Sequence, residues 1–358
     1  MNILLLASHA VAEFDDIRMF HDLGYGIFAP GGYENPATSG EGIRPALPDV
    51  PYHSYLVAAC NRVRAERGEP GPAIDWAKAA LPDEVIDWAD VIIAHHFVDR
   101  WIGAQWPRIR HKRVIWRTCG QSNPGLESYM GQFVREGLQV VRYSPAEERY
   151  FTRVGSFAGQ DALIRFGKYP DDYGPWEGWF AGVINITQHM AQRGDACGYR
   201  FWSDATRGLA RLRGDDGPPP PYAVPLGPGS ETIGGRGALA HDEMLAWLRR
   251  ARVYLYTGTR PASYTLGLLE AALSGIPVVS IGPGAWGNDW DAADLFEGHL
   301  WSADGGYHTE TPEGARKCIR AYLDDPELAR GAGERVRERV VREFGIDTVG
   351  PQWVEFLR

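Results

Sequence analysis

The chain has 358 residues, of which 44% are hydrophobic and 23% charged, with a net charge of −9. That is length for two α/β domains with full cores and an ordinary soluble composition. The acidic balance disfavours a general nucleic-acid surface and leaves only a local basic face, and no apolar run reaches the roughly 18 residues of a membrane span. Cys60, Cys119, Cys197 and Cys318 lie far apart with no CxxC pair. They suggest no disulfide framework, and a cytoplasmic location is expected.

The opening MNILLLASHA has no basic leader and runs straight into an apolar stretch, so Asn2–Ala7 reads as a buried strand and not a signal peptide. Gly26–Ala29 is a second strand, and the Gly- and Pro-rich stretch from Gly31 to about Tyr52 reads as a long surface loop. Ala80–Asp90 is helix-like and leads into the strand Val91–Ala94; Arg113–Trp116 and Gln139–Tyr143 are further strands. From about Tyr173 the pattern restarts. Gly182–Thr187 is a strand, Tyr199–Leu212 a helix, Gly214–Pro221 a turn or spacer and Tyr222–Leu226 a strand. His241–Ala251 is a helix, Val253–Tyr256 a strand, and Thr265–Ser274 a helix stopped by Gly275 and Pro277 before the strand Val278–Ile281. Pro312–Asp324 and Pro326–Glu343 are helices with Pro at their starts. This alternation predicts parallel sheets with crossover helices in two α/β halves that meet near Phe166–Pro175.

The most informative segment is Ala251–Gly284, in which Leu268, Leu269, Glu270, Ala271, Gly275, Pro277, Val278 and Val279 fall in one helix-to-strand passage. It resembles the donor-site signature of retaining GT-B glycosyltransferases of the glycogen-synthase and sucrose-synthase type. The resemblance implies two Rossmann-like domains facing across a cleft. The first spans 1–172 on the acceptor side and is completed by 345–358, the C-terminal helix that crosses back. The second spans 173–344 and holds the nucleotide-sugar. The glutamate at position 270 would accept hydrogen bonds from the nucleotide ribose, since a carboxylate suits two neighbouring hydroxyls. The loop Ser263, Tyr264, Thr265, Leu266 and Gly267 would set backbone N–H groups beside the diphosphate, as a helix N-terminus does for anions. The second acidic residue usual in the family is replaced by Ala262, which puts sugar recognition in question.

Other candidates follow from the same resemblance. Arg193, in Thr187–Gly194, would neutralise the departing diphosphate, with Arg200 the next cation in line, because a bidentate guanidinium fits phosphate. Solvated arginines are the bland reading of both. His95 would touch donor sugar or acceptor, against the competing reading of a satisfied structural histidine. A zinc pair with His96 is disfavoured, as adjacent strand residues point to opposite faces. His9, Arg117, Gly120 and Gln121 are acceptor-side candidates. The glycines at 227, 229, 234, 235 and 237 fit neither a Rossmann fingerprint nor a P-loop and read as turns.

The functional expectation is a retaining, metal-independent hexosyltransferase-like enzyme using a nucleotide-sugar, UDP-type, as substrate. No cofactor is expected. The acceptor carries a hydroxyl. Segments such as Arg117–Glu127 resemble glycosyltransferases of viral origin, which brings in a hydroxymethylated base in DNA as one acceptor. That would need a basic groove from Arg100, Arg108, Arg110, His111, Lys112 and Arg113. Two alternatives keep the fold: a nucleotide-sugar epimerase, for which no acid–base carboxylate pair can be placed, and a nucleotide-sugar-binding protein without catalysis, motivated by Ala262. The oligomeric state is not written in the sequence.

Overall fold

The computed structural model describes the chain except residues 8–9, 39–43, 68–79, 96–97, 121, 211–220, 287–291 and 303–307. It contains two compact units: Met1–Lys168 with Ile346–Arg358, and Tyr169–Gly345.

Unit 1 runs β1 (Asn2–Leu6), α1 (Ala10–Asp22), β2 (Gly26–Phe28), α2 (Ser54–Arg67), α3 (Asp83–Trp88), β3 (Val91–His95), α4 (Val98–Ile109), β4 (Arg113–Arg117), α5 (Pro124–Val134), β5 (Gln139–Arg142), α6 (Pro145–Arg153) and β6 (Ala162–Leu163). Its six strands are parallel in the order β2-β1-β3-β4-β5-β6. Strand-facing residues such as Leu4, Ile92, Ile93, Ile115 and Val140 are fully buried, as expected for a sheet covered by helices on both faces.

Unit 2 runs β7 (Phe180–Ile186), α7 (Met190–Arg193), α8 (Tyr199–Ala205), β8 (Tyr222–Leu226), α9 (His241–Arg250), β9 (Ala251–Tyr256), α10 (Leu266–Leu273), β10 (Val278–Ile281), α11 (Ala292–Leu295), β11 (His308–Thr309), α12 (Pro312–Asp324) and α13 (Pro326–Phe344). Its sheet is also parallel, ordered β11-β10-β9-β7-β8. The closing helix α14 (Ile346–Leu357) belongs to unit 1. There Trp353 packs edge-on to Phe20 at 5.1 Å, and Arg113 donates to the Leu357 carbonyl at 2.9 Å.

One local device starts four helices. Asn123, Ser144, Thr311 and Asp325 each cap the helix that follows, and each is followed by Pro at the first helical position. The side chain accepts an otherwise orphaned N–H, while proline gives up a donor the first turn does not use. The helix expected over Tyr199–Leu212 ends at Ala205; a turn follows in which Gly208 takes φ +87°. The helix-like stretch Ala80–Asp90 narrows to α3. The loop expected from Gly31 to Tyr52 forms no helix or strand among its described residues, and α2 begins two residues beyond it. The spacer Gly214–Pro221 lies outside the described residues up to 220.

Candidate functional site

In a doubly wound sheet, ligands gather at the carboxyl ends of the strands, where successive crossovers leave in opposite directions. In unit 2 that place is the pair β7 and β9: β8 lies on one side of β7 and β9 on the other. The loops leaving these strands are tied together. The Thr187 N–H donates to the Leu226 carbonyl at 3.1 Å, the His189 N–H to the Pro228 carbonyl at 2.6 Å, and the Arg260 N–H to the Ala196 carbonyl at 2.8 Å. The Thr257 hydroxyl donates to the Cys197 carbonyl at 2.8 Å. A Cβ on Gly198 would lie 2.8 Å from the Thr257 carbonyl oxygen, so only glycine lets these two backbones meet.

The amino end of α10 opens onto this edge. Thr265 caps it, its hydroxyl accepting from the Leu268 N–H at 3.3 Å. The N–H groups of Leu266 and Gly267 have no acceptor among the described residues. They are first-turn donors carrying the positive end of the helix dipole. A Cβ on Gly267 would stand 3.7 Å from Ile186, so the helix begins directly beside the end of β7.

Glu270 lies one turn further along and is 2% exposed. Its charge reaches Tyr254; burial first, and the neighbouring Tyr256 and Glu270 after it, push that phenol well above its ordinary value, while the Ile186 backbone opposes the shift. Burial pushes the Tyr256 phenol up in the same way, while its contact with Thr265 at the helix cap opposes the shift.

Two members of the expected donor loop serve the core instead. Tyr264 is buried, edge-on to Trp301 at 5.1 Å and to Phe344 at 5.3 Å. Ser263 is buried, and its carbonyl accepts from the Glu297 and Gly298 N–H groups at 2.9 and 3.0 Å. Arg193 ends α7 with its side chain exposed. Burial raises the Cys197 thiol above its ordinary value, and the Arg193 charge opposes that shift. Arg200 is 80% exposed and pairs with Asp195 at 3.0 Å, a solvated contact of little energetic weight.

In unit 1 the equivalent edge lies at β1 and β3. His9 and Gln121 fall outside the described residues, as does His96. The structure corrects the expectation for Arg117. Its side chain is wholly buried, bound to Asp16 at 2.5 Å and to the Arg165 carbonyl at 3.2 Å. The guanidinium also lies over the rings of Phe166 and Trp353 at 4.4 and 5.0 Å. It is a core cation, not an acceptor-facing one. His95 is 1% exposed, with Nε2 3.1 Å from the same Asp16 carboxylate. Burial lowers its pKa, and Asp16 opposes the shift. The His95 Nδ1 has no hydrogen-bond partner among the described residues.

Gly120 is buried with φ +81°, in a loop held by neighbouring carboxylates. Ser122 bonds to Glu127, which also grips Arg142 through two contacts of 2.6 Å, and the Thr118 hydroxyl donates to Glu147 at 2.5 Å. Asp16 was not singled out from the sequence; nothing in an Asp-Asp pair on a helix announces a buried partner.

The basic run expected to form a nucleic-acid groove leads into the start of β4, at the amino edge of the sheet, away from the ligand edge. Arg108 is tied to Asp83 and to the Leu81 carbonyl, Lys112 to the Asp87 carbonyl and Arg113 to the end of α14. Arg110 and His111 are exposed, and the Arg100 side chain is outside the described set. Among the described residues no group of three or more His, Cys, Asp or Glu could hold a metal ion. Among the described residues no helix is long and apolar enough to cross a membrane.

Comparisons with known proteins agree with this architecture. The family model described as glycosyl transferase-like matches residues 217–355. A search of curated proteins found no match. Among solved structures, HepE of Anabaena in complex with UDP and glucose is similar, at 15% identity and a TM-score of 0.64, over 100% of this chain and 99% of that one. Sucrose-phosphate synthase from Thermosynechococcus elongatus is similar at 13% identity and 0.63, over 100% and 98%. An alpha-glucosyltransferase in complex with UDP and a 13-mer DNA containing an HMU base is similar at 10% and 0.58, over 100% and 99%. This chain has the GT-B fold, and the glycosyl transferase-like match runs through the part of unit 2 that holds β8, β9, α10 and Glu270.

Proposed function

We propose that this protein is a glycosyltransferase that takes a sugar from a UDP-type nucleotide-sugar and passes it to a hydroxyl acceptor with retention of configuration. One observation carries the reading. At the carboxyl edge of the unit 2 sheet α10 begins with two N–H groups that have no acceptor among the described residues, Glu270 is buried one turn inside that helix, and Arg193 is exposed at the end of the short helix that follows β7. These are the parts a nucleoside diphosphate requires: donors and positive charge for the phosphates, and an acceptor for the ribose. UDP bound to similar folds in HepE and in the DNA-bound alpha-glucosyltransferase supports the choice of nucleotide.

In this reading the Leu266 and Gly267 N–H groups hold the diphosphate, and Glu270 accepts from the two ribose hydroxyls. As the bond from the anomeric carbon to phosphate oxygen breaks, negative charge grows on the leaving diphosphate. The helix end and Arg193 stabilise it in place, which lowers the barrier because the donors are oriented before the reaction. The acceptor oxygen bonds to the same face of the anomeric carbon, and its proton passes to a phosphate oxygen. Positive charge is supplied by the protein, so transfer is expected to proceed in EDTA.

The test is UDP release from UDP-glucose in EDTA with a panel of hydroxyl acceptors, including an oligonucleotide with a hydroxymethylated base, followed by NMR of the product. An α-linked product supports the reading. A β-linked product overturns retention, and donor conversion without acceptor favours an epimerase. UDP binding without turnover favours a binding protein. Absence of UDP and UDP-glucose binding overturns the donor site itself.

A further inference from the structure

His189 is the only non-glycine residue at positive φ among the described residues, with φ 51° and ψ 35°. A side chain in this left-handed region is uncommon, and such conformations persist where the surroundings over-determine them. Two features do so here. The His189 N–H donates to the Pro228 carbonyl at 2.6 Å. A Cβ on Gly229 would lie 2.6 Å from His189 Nδ1 and 3.2 Å from its Cα, so the imidazole rests where a glycine has left room for it. Gly229 is itself at φ +79°, so the two loops are shaped to each other.

The position is as informative as the conformation. His189 follows β7 by three residues, and the start of α10 lies beside the last residue of that strand. The His189 carbonyl accepts from the Arg193 N–H at 2.9 Å, so histidine and arginine bracket a single helical turn. The His189 side chain is exposed. No fold requirement for an imidazole is visible here, since a glycine would adopt the same backbone without strain.

Resting on the donor-site reading above, we infer that His189 is a further donor-binding residue whose imidazole N–H contacts the diphosphate of the bound nucleotide. A neutral imidazole already carries one N–H donor, so the contact does not require protonation. It adds a directed side-chain bond to the N–H groups of Leu266 and Gly267 and the charge of Arg193.

The experiment is isothermal titration of UDP, UMP and uridine into the full chain and into His189→Gly and His189→Asn, with thermal midpoints recorded alongside. Both residues tolerate the left-handed region, so both variants are expected to melt no lower than the parent. The expected result for His189→Gly is about tenfold weaker UDP binding, a smaller loss for UMP and unchanged uridine, since a single hydrogen bond to a charged group is worth about that factor. His189→Asn, which keeps an N–H donor, should recover part of the loss. UDP binding equal to the parent in His189→Gly would reduce His189 to a chain-turning residue and overturn the inference while leaving the donor site intact. An equal loss of uridine would assign the ring to the nucleoside and overturn the diphosphate contact. A parent chain that binds none of the three would sink the donor reading, and this inference with it.

Discussion

Arg117→Met separates a core cation from an acceptor-binding one. The arginine is completely buried and its partners are fixed: Asp16 at 2.5 Å, the Arg165 carbonyl at 3.2 Å and two aromatic faces. Methionine fills much of the volume but leaves Asp16, 1% exposed, with His95 at 3.1 Å as its one remaining charged or imidazole partner among the described residues. Removing one member of a buried ion pair typically costs 3–5 kcal/mol, because the other charge remains in a low-dielectric site. For a unit of this size each kcal/mol moves the midpoint by roughly 2–4 °C, so a drop on the order of 10 °C is expected. Changing both partners, Asp16→Leu with Arg117→Met, removes the stranded charge and should cost less than the single change.

The effect has a pH signature. Burial raises the Asp16 pKa, but Arg117 and His95 together hold it below its ordinary 3.8. A depressed carboxyl contributes stability that is present above its unfolded pKa and lost as pH falls through the folded one. The gap between parent and Arg117→Met should therefore be full at pH 7 and narrow below about pH 4 as the carboxyl protonates. Circular-dichroism melts across pH 3–8 measure it. A variant that melts within about 1 °C of the parent at pH 7, yet loses transfer activity, would refute the core assignment, since a stranded buried charge cannot be that cheap.

Other consequences can be checked on the same preparation. Glu270→Gln should weaken UDP and uridine alike by roughly 10- to 100-fold in titration calorimetry, the worth of charge-assisted bonds to the ribose. Arg193→Gln should lower turnover about 100-fold or more with an unchanged melting temperature, because its side chain is exposed and its charge is needed as the diphosphate departs; an unchanged rate would remove it from the reaction. Gly333→Ala should destabilise unit 2 by about 1–3 kcal/mol or more in urea unfolding. The added Cβ would sit 1.8 Å from the Gly275 carbonyl oxygen, where α13 crosses the end of α10. Burial, with His308 and Arg339 nearby, lowers the His299 pKa from 6.5 to about 4. Its neutral form is favoured in the folded state, so the stability it contributes is full above pH 6.5 and declines as pH falls toward 4. His299→Phe should flatten that part of the stability profile.

Much of the fold was legible because it rests on local rules. Strand runs such as Asn2–Leu6, Val91–His95 and Val278–Ile281 are short, apolar and bounded by polar or turn residues, and all form parallel strands. Thr311-Pro312 and Asp325-Pro326 start helices by capping chemistry that acts within four residues. Gly275, at φ +79°, lies just past the end of α10 because that backbone favours a residue without a Cβ. The same segment marked Glu270 as a candidate through its neighbours. Helix α1 was harder to read, because Glu13, Asp15 and Asp16 interrupt its apolar face. Their burial makes sense only with partners far along the chain: Lys168 for Asp15 and Arg117 for Asp16. Sequence pattern likewise could not tell that Arg117 faces Trp353 of the returning helix, or that Tyr264 joins Trp301 and Phe344 in the core. Nor could it show that His189 takes a glycine-like backbone against Gly229. Periodicity and caps are set by neighbours within a few residues, so the chain determines its own strands and helix starts. The strand order that parts the loops after β7 and β9, the burial of a charge and the strain at a turn depend on which distant residues arrive beside them, and only the tertiary structure decides that.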